Sequence, residues 1–252
     1  MRQISARIRT GRGYTIALTA VVPARSRAQP LVVVCHGIGV DSKKPLIGSI
    51  RDALLRDGYG VVQFDFAGHG QSGGGIQQRL VGMFIRDLST VIDWLAEKNI
   101  SNQEGVVVVG HSIGALTALL YAGSRPTRLR AIALIGCNAR SKKKFKELLA
   151  RKVLRFERTY WVVGRAKVAR SFWTERNRYE PRLHAGKIRV PVLLMCGSND
   201  VTNPPRESRL LYQWIRTRKK LAIIPGTDHY FKSEQSRLRA ARVIQTWLKS
   251  GI

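Results

Sequence analysis

The sequence predicts an α/β protein built on a mostly parallel sheet, and three observations carry that reading. Short apolar runs of strand length alternate with amphipathic helical stretches along most of the chain. The turns between them are marked by Gly, Pro, Asn, Asp and Ser. The 252 residues, 44% of them hydrophobic, suffice for one domain with a large core.

Residues 1–9 alternate as a strand does, and a turn at Gly11-Arg12-Gly13 joins them to a second short strand. A buried-type strand follows at 31–36 and runs into the glycine-bearing loop Gly37-Ile38-Gly39, before a helix at 45–57. The next strand, 60–65, ends at Asp65, whose position suits a carboxylate that organises a loop. Gly73-Gly74-Gly75 is a turn and lacks the strand–helix context of a phosphate-binding loop. In the helix over 77–98, Leu80, Phe84, Leu88, Val91 and Leu95 recur at the spacing of one packing face. Strand 105–110, helix 113–124, strand 131–136, strand 191–196, helix 204–216, strand 220–225 and helix 233–249 complete the alternation.

The chemistry centres on Gly110-His111-Ser112-Ile113-Gly114, a G-x-S-x-G pentapeptide between the run Val106-Val107-Val108-Val109 and the helix that opens at 113. Strand, tight turn and helix push the serine Oγ out of the sheet, and the two glycines leave room for a strained backbone. A serine hydroxyl needs a base to take its proton and an acid to orient that base. His229 lies in the loop leaving strand 220–225, and Asp200 in the loop leaving strand 191–196. Asp228 adjoins His229 in sequence and is poorly placed to reach Nδ1 of that ring. The predicted nucleophile, acid and base are therefore Ser112, Asp200 and His229.

These segments, with Phe64-Asp65-Phe66-Ala67-Gly68-His69-Gly70-Gln71-Ser72 and Gly197-Ser198-Asn199-Asp200, resemble the α/β-hydrolase superfamily of serine hydrolases over nearly the whole chain. Within it the chain looks most like compact bacterial carboxylesterases, feruloyl and cinnamoyl esterases among them, and serine aminopeptidase-like hydrolases. The order Ser112, Asp200, His229 is the order of that fold. The resemblance implies an α/β-hydrolase core at 1–137 and 190–252, and a small, basic, helical cap at 138–189 between two core strands. It also implies an oxyanion hole made by the backbone N–H groups of Ile113 and of Ile38, to within one residue. Two such donors contribute roughly 3–4 kcal/mol each to acyl transfer. The residue after Ser112 is Ile where esterases of this kind often carry a polar side chain. His36 and Asp41 form an H-x4-D pattern like that of lipid acyltransferases, but the position of His36 at a strand end gives it a structural role.

In the 138–189 segment, Phe145, Leu148, Leu149, Lys152, Val153 and Phe156 sketch an amphipathic helix, and Tyr160, Trp161, Phe172 and Trp173 add aromatic bulk. Most of these pack the cap onto the core; Phe156, Trp161 and Trp173 are the candidates to line the substrate pocket. Ten Arg and seven Lys against four Glu make the segment strongly basic within a chain of net charge +28. That charge implies weak, salt-sensitive attraction to anionic surfaces. It is spread along an Arg-rich chain with no RNP, helix-turn-helix or zinc-finger pattern, so no specific nucleic-acid partner is predicted.

Cys35, Cys137 and Cys196 sit in or beside apolar strands and are read as buried free thiols; no metal site and no cofactor are predicted. His184, in a polar stretch, is read as a surface residue. No run of about 18 apolar residues is present, and residues 1–9 lack the apolar stretch of a signal peptide, so a cytoplasmic protein is predicted. The function these readings support is hydrolysis of small-molecule carboxylic esters through an acyl-enzyme. Thioester or small-amide hydrolysis, acyl transfer and C–C bond hydrolysis on the same residues are the alternatives, with a basic binding protein on this scaffold as the non-enzymatic one.

Overall fold

A computed structural model describes residues 1–23, 29–101, 105–124, 128–152, 154–163 and 166–252. In chain order it begins with β1 (Arg2–Arg9), β2 (Thr15–Val22), β3 (Leu31–Cys35), α1 (Pro45–Arg56) and β4 (Val61–Phe64). A short 3-10 turn (Ile76–Gln78) then leads into α2 (Val81–Glu97), β5 (Val106–His111), α3 (Ile113–Ser124) and β6 (Leu129–Ile135). Next come α4 (Ser141–Ala150), β7 (Leu154–Glu157), β8 (Tyr160–Val163), β9 (Ala166–Ala169), α5 (Phe172–Arg176) and α6 (Pro181–Ala185). The chain closes with β10 (Val192–Gly197), α7 (Pro205–Trp214), β11 (Lys219–Ile224) and α8 (Glu234–Lys249).

Eight strands form one sheet in the order β1-β2-β4-β3-β5-β6-β10-β11. β1, β2 and β4 pair antiparallel, and every pairing from β4 to β11 is parallel. Side chains alternate across the sheet, so the valine-rich strands feed two cores at once. Val33 of β3 and Val108 of β5 pack with α2 and α3 on one face, while Val32 and Val107 pack with α1 and α8 on the other. α3 is buried from Ile113 to Ala122, as a helix pinned between a sheet and other helices must be. Phe84, Leu88, Val91 and Leu95 of α2 are fully buried, so the predicted stripe is its packing face.

The segment between β6 and β10 departs from the helical cap that the sequence suggests. Only α4 realises the first part of the expected helix, and a three-stranded antiparallel meander, β7-β8-β9, follows it. Phe156 belongs to β7 and not to that helix; Val153 lies outside the described residues. His184 is half-buried and not on the surface, because α6 packs against α3 with the His184 backbone and Cβ on Gly123. All three cysteines are buried and unpaired, and burial raises the pKa of each thiol.

Candidate active site

The predicted residues converge at the carboxyl ends of the parallel strands, where α/β sheets place their ligand crevices. Ser112 sits between β5 and α3 with φ +56°, in the left-handed region that costs a non-glycine residue about 1–3 kcal/mol. Its N–H donates to Ile135 O at 2.8 Å, and its carbonyl accepts the N–H of Leu116, so sheet and helix together hold the strain. A Cβ at Gly110 would collide with Gly114 O, and one at Gly114 with Cys35 O and His36 O. The pentapeptide thus needs glycine at both ends for close approach.

Asp200 follows β10 and His229 follows β11. His229 Nδ1 lies 2.7 Å from Asp200 Oδ2, and His229 Nε2 lies 3.0 Å from Ser112 Oγ. With the imidazole proton on Nδ1, His229 donates to Asp200 and accepts from the Ser112 hydroxyl. Asp200 Oδ1 is occupied by the Asn203 N–H at 2.6 Å, and Asn203 Nδ2 donates to Gly136 O at 2.6 Å. Gly136, φ +58°, ends β6 against these groups: a Cβ there would stand 3.2 Å from the His229 ring and 3.3 Å from Asp200 Oδ2. Asp228 faces away, accepting from Tyr230 N, Lys232 N and the Lys232 ammonium.

Sequence reasoning read His36 and Asp65 as structural but gave no role to His111 or His69, which also hold these groups. His111, the second residue of the pentapeptide, has Nε2 at 2.9 Å from His229 O and its ring centroid 5.0 Å from that of His229. Burial and the neighbouring His229 push its pKa down to about 3, so the neutral ring donates to that carbonyl and pins the loop. His69 Nε2 accepts the Gly39 N–H at 3.1 Å, and His36 Nε2 accepts the Phe66 N–H at 3.0 Å. Asp65 accepts from Ser42 N and Gln71 N, each at 2.8 Å, which makes it the loop organiser that its strand-end position suggested. His36 is structural as well. The signal that His111 and His69 left in the sequence was a polar side chain beside a glycine turn.

A cavity of about 660 Å³ opens over Ser112. Ile38, Ile113 and His229 line it from the core, and Trp173 and Arg176 from the segment between β6 and β10. Among the three aromatic pocket candidates, Trp173 reaches the wall; Phe156 and Trp161 do not. The register explains why. Val163 and Ala166, which line the cavity, pair with each other, whereas Phe156, Trp161 and Val168 form the next row on that face. Two residues along a strand is about 6–7 Å, which carries them past the cavity. Phe156 is left 43% exposed, its ring tilted at 59° against that of Trp161. Among the described residues no group of His, Cys, Asp or Glu side chains is placed to hold a metal ion.

Sheet order, the strained serine turn after β5 and the crevice at the strand ends define an α/β-hydrolase. The chain belongs to the family described as serine aminopeptidase, S33, whose model matches residues 26–183, and it is a hydrolase of the α/β-hydrolase type. Among solved structures it is similar to Est1E from Butyrivibrio proteoclasticus, determined with ferulic acid bound. The TM-score is 0.83, with 19% identity over 97% of this chain and 99% of that one. It is also similar to the esterase domain of a Rhodothermus marinus protein, with TM-score 0.77 and 22% identity over 98% of each chain. A 31.7 kDa Escherichia coli protein of the traX–finO intergenic region is 25% identical over 93% of this chain and 95% of its own length.

Proposed function

We propose that the protein is a serine carboxylesterase with Ser112 as nucleophile, His229 as general base and Asp200 as its orienting acid. The hydrogen-bonded chain from Asp200 through His229 to Ser112 Oγ, at 2.7 and 3.0 Å, carries this reading. Ser112 Oγ bonds to the carbonyl carbon as its proton passes to His229 Nε2. The resulting oxyanion sits between the backbone N–H groups of Ile113 and Ile38. Ile113 opens α3, so its N–H has no acceptor within the helix. The Gly39 N–H is spent on His69, which favours Ile38 as the second donor. Collapse expels the alcohol, which takes the proton from the His229 imidazolium. A water then loses a proton to His229 as it attacks the acyl carbon, and Ser112 leaves as the hydroxyl when the acid departs.

The segment over residues 138–189 serves as the cap, contributing Trp173 and Arg176 to the pocket. One of the similar structures is an esterase domain by description and another was determined with ferulic acid bound, which supports ester over amide hydrolysis. The family description names aminopeptidases, and amide hydrolysis would employ the same three side chains. No described helix is long and apolar enough to cross a membrane. We place the reaction in the cytoplasm, with which three buried, unpaired thiols accord. Fluorophosphonate treatment should add one adduct, mapped to Ser112, and Ser112→Ala should abolish para-nitrophenyl ester turnover while keeping the native circular dichroism. Labelling at another serine, or an Ala variant that still turns over esters, would overturn the assignment.

A further inference from the structure

We propose that the cavity contains a carboxylate-binding subsite formed by Arg176, Asn138 and Trp173, and that the favoured ester substrate carries a carboxylate remote from the scissile bond. The substrate part of this proposal rests on the esterase reading above. Arg176 is only 4% exposed, and its guanidinium has no carboxylate within 4.0 Å among the described residues. It spends two of its five N–H donors inside the protein. Nη1 donates to Ser141 O at 3.1 Å, and Nη2 donates to Asn138 Oδ1 at 2.5 Å. Burial lowers its pKa only to about 10, so it remains a cation at neutral pH. Glu175, Glu180 and Glu207 act on it only from a distance, and a buried cation with no carboxylate in contact is costly to keep.

Two neighbours point the same way. Asn138 Nδ2 and Trp173 Nε1 are buried donors with no hydrogen-bond partner, in residues 4% and 5% exposed. Asn138 is bonded to the guanidinium, and the guanidinium carbon lies 5.3 Å from the Trp173 ring centroid. All three residues line the cavity that holds Ser112. The cluster therefore offers a fixed positive fork and two spare N–H groups, a donor set complementary to the two oxygens of a carboxylate.

The rest of the wall has the same polarity. Lys44, Lys232 and Arg237 also line the cavity, and among the described residues no Asp or Glu does. An aminopeptidase must seat a protonated α-amine, which in this cavity would meet cations and no anion. The cavity volume of about 660 Å³ accommodates an ester group and a distant carboxylate in one molecule.

The test compares the mono-para-nitrophenyl ester of suberic acid with its terminal carboxamide, read as the ratio of their kcat/KM values, which cancels general damage to the site. The wild-type enzyme should prefer the carboxylate ester by about tenfold or more, and Arg176→Gln should bring the ratio near one. A wild-type ratio near one, a ratio unchanged in Arg176→Gln, or faster turnover of aminoacyl para-nitroanilides with free amines would overturn the subsite. Arg176 also ties Ser141 and Asn138, so Arg176→Gln can fail to fold. Trp173→Phe, which removes one N–H and keeps the ring, should then lower the ratio. Suberate binding to unmodified protein, measured calorimetrically, separates the two readings. Binding that competes with fluorophosphonate labelling upholds the subsite even in a protein that cleaves no ester. Ester turnover without suberate binding overturns the subsite and leaves the esterase reading intact.

Discussion

Asp200 and Asp228 lie in neighbouring loops, yet their carboxylates are committed differently. Asp200 accepts from His229 and from the Asn203 N–H, whereas Asp228 is spent on Tyr230, Lys232 and the Lys232 ammonium. Asp200→Asn would put an amide against the Nδ1 face of His229 and favour the wrong tautomer. A loss on the order of 10⁴ in kcat follows, with KM far less affected. Asp228→Asn should change kcat little; steady-state kinetics on folded variants decide, and a larger kcat loss in Asp228→Asn reverses the assignment. The hydrogen-bonded set Ser112, Asp200 and His229 was legible in sequence because each residue lies in the turn or loop that leaves an apolar strand. His111, Asn203 and Arg176 were not legible as site residues. Each acts on a residue far away in the chain, or on a cavity that exists only after folding: His111 meets the carbonyl of His229, 118 positions on. Trp173 was found through its bulk, whereas Phe156 and Trp161 fail because bulk does not report which row of a sheet a side chain occupies.

At the scale of elements, the core strands were legible because each is a continuous apolar run bounded by turn residues, and every one lies within two residues of its expected position. α2 begins at Val81, later than its pattern suggests, because a 3-10 turn at Ile76–Gln78 precedes it. The β7-β8-β9 meander was hidden for two physical reasons. Strands of four residues present only two side chains per face, too few to show a period. The two-residue turn between β7 and β8 is Arg158-Thr159, with Arg158 at φ +50°, where such turns usually announce themselves with Asn-Gly. One contact between the segment joining β6 to β10 and the rest of the chain was equally invisible. Glu175 of α5 accepts from the Val81 and Gly82 N–H groups at 3.0 and 2.7 Å, so α5 supplies the carboxylate that caps α2 from 94 residues away. A carboxylate at a helix N-terminus is worth about 0.5–2 kcal/mol. Glu175→Ala should lower stability by that amount in urea titrations and raise KM as the adjoining Arg176 and Trp173 lose support. A variant with wild-type urea midpoint would show that α2 does not depend on this cap.

For the whole molecule, buried histidines set the response to acid. His36, His69 and His111 are all buried; burial lowers the pKa of His36 and takes those of His69 and His111 to about 3. In an unfolded chain the same rings titrate near ~6.5. Between those values the unfolded chain binds more protons than the native one, so stability rises with pH and is lost as pH falls below about 6.5. At pH about 5, His69 and His111 should each remove roughly 2 kcal/mol. Asp87 works in the opposite sense. Burial raises it from 3.8 to about 6, so the native state keeps a proton that the unfolded chain has lost, and acid adds stability there. At pH about 5 that amounts to roughly 1.4 kcal/mol, less than the two rings remove. Acid also protonates carboxylates in a chain already at +28, which adds repulsion that salt can screen. The urea midpoint should therefore fall between pH 7 and pH 5 at fixed ionic strength, by roughly 3 kcal/mol of unfolding free energy. His69→Gln should lose part of that slope, because glutamine does not titrate. Equal midpoints at the two pH values would mean that these rings accept protons in the native state. The hydrogen bonds from Gly39 N–H to His69 and from Phe66 N–H to His36, which need unprotonated ring nitrogens, would then not hold the loop bearing Ile38.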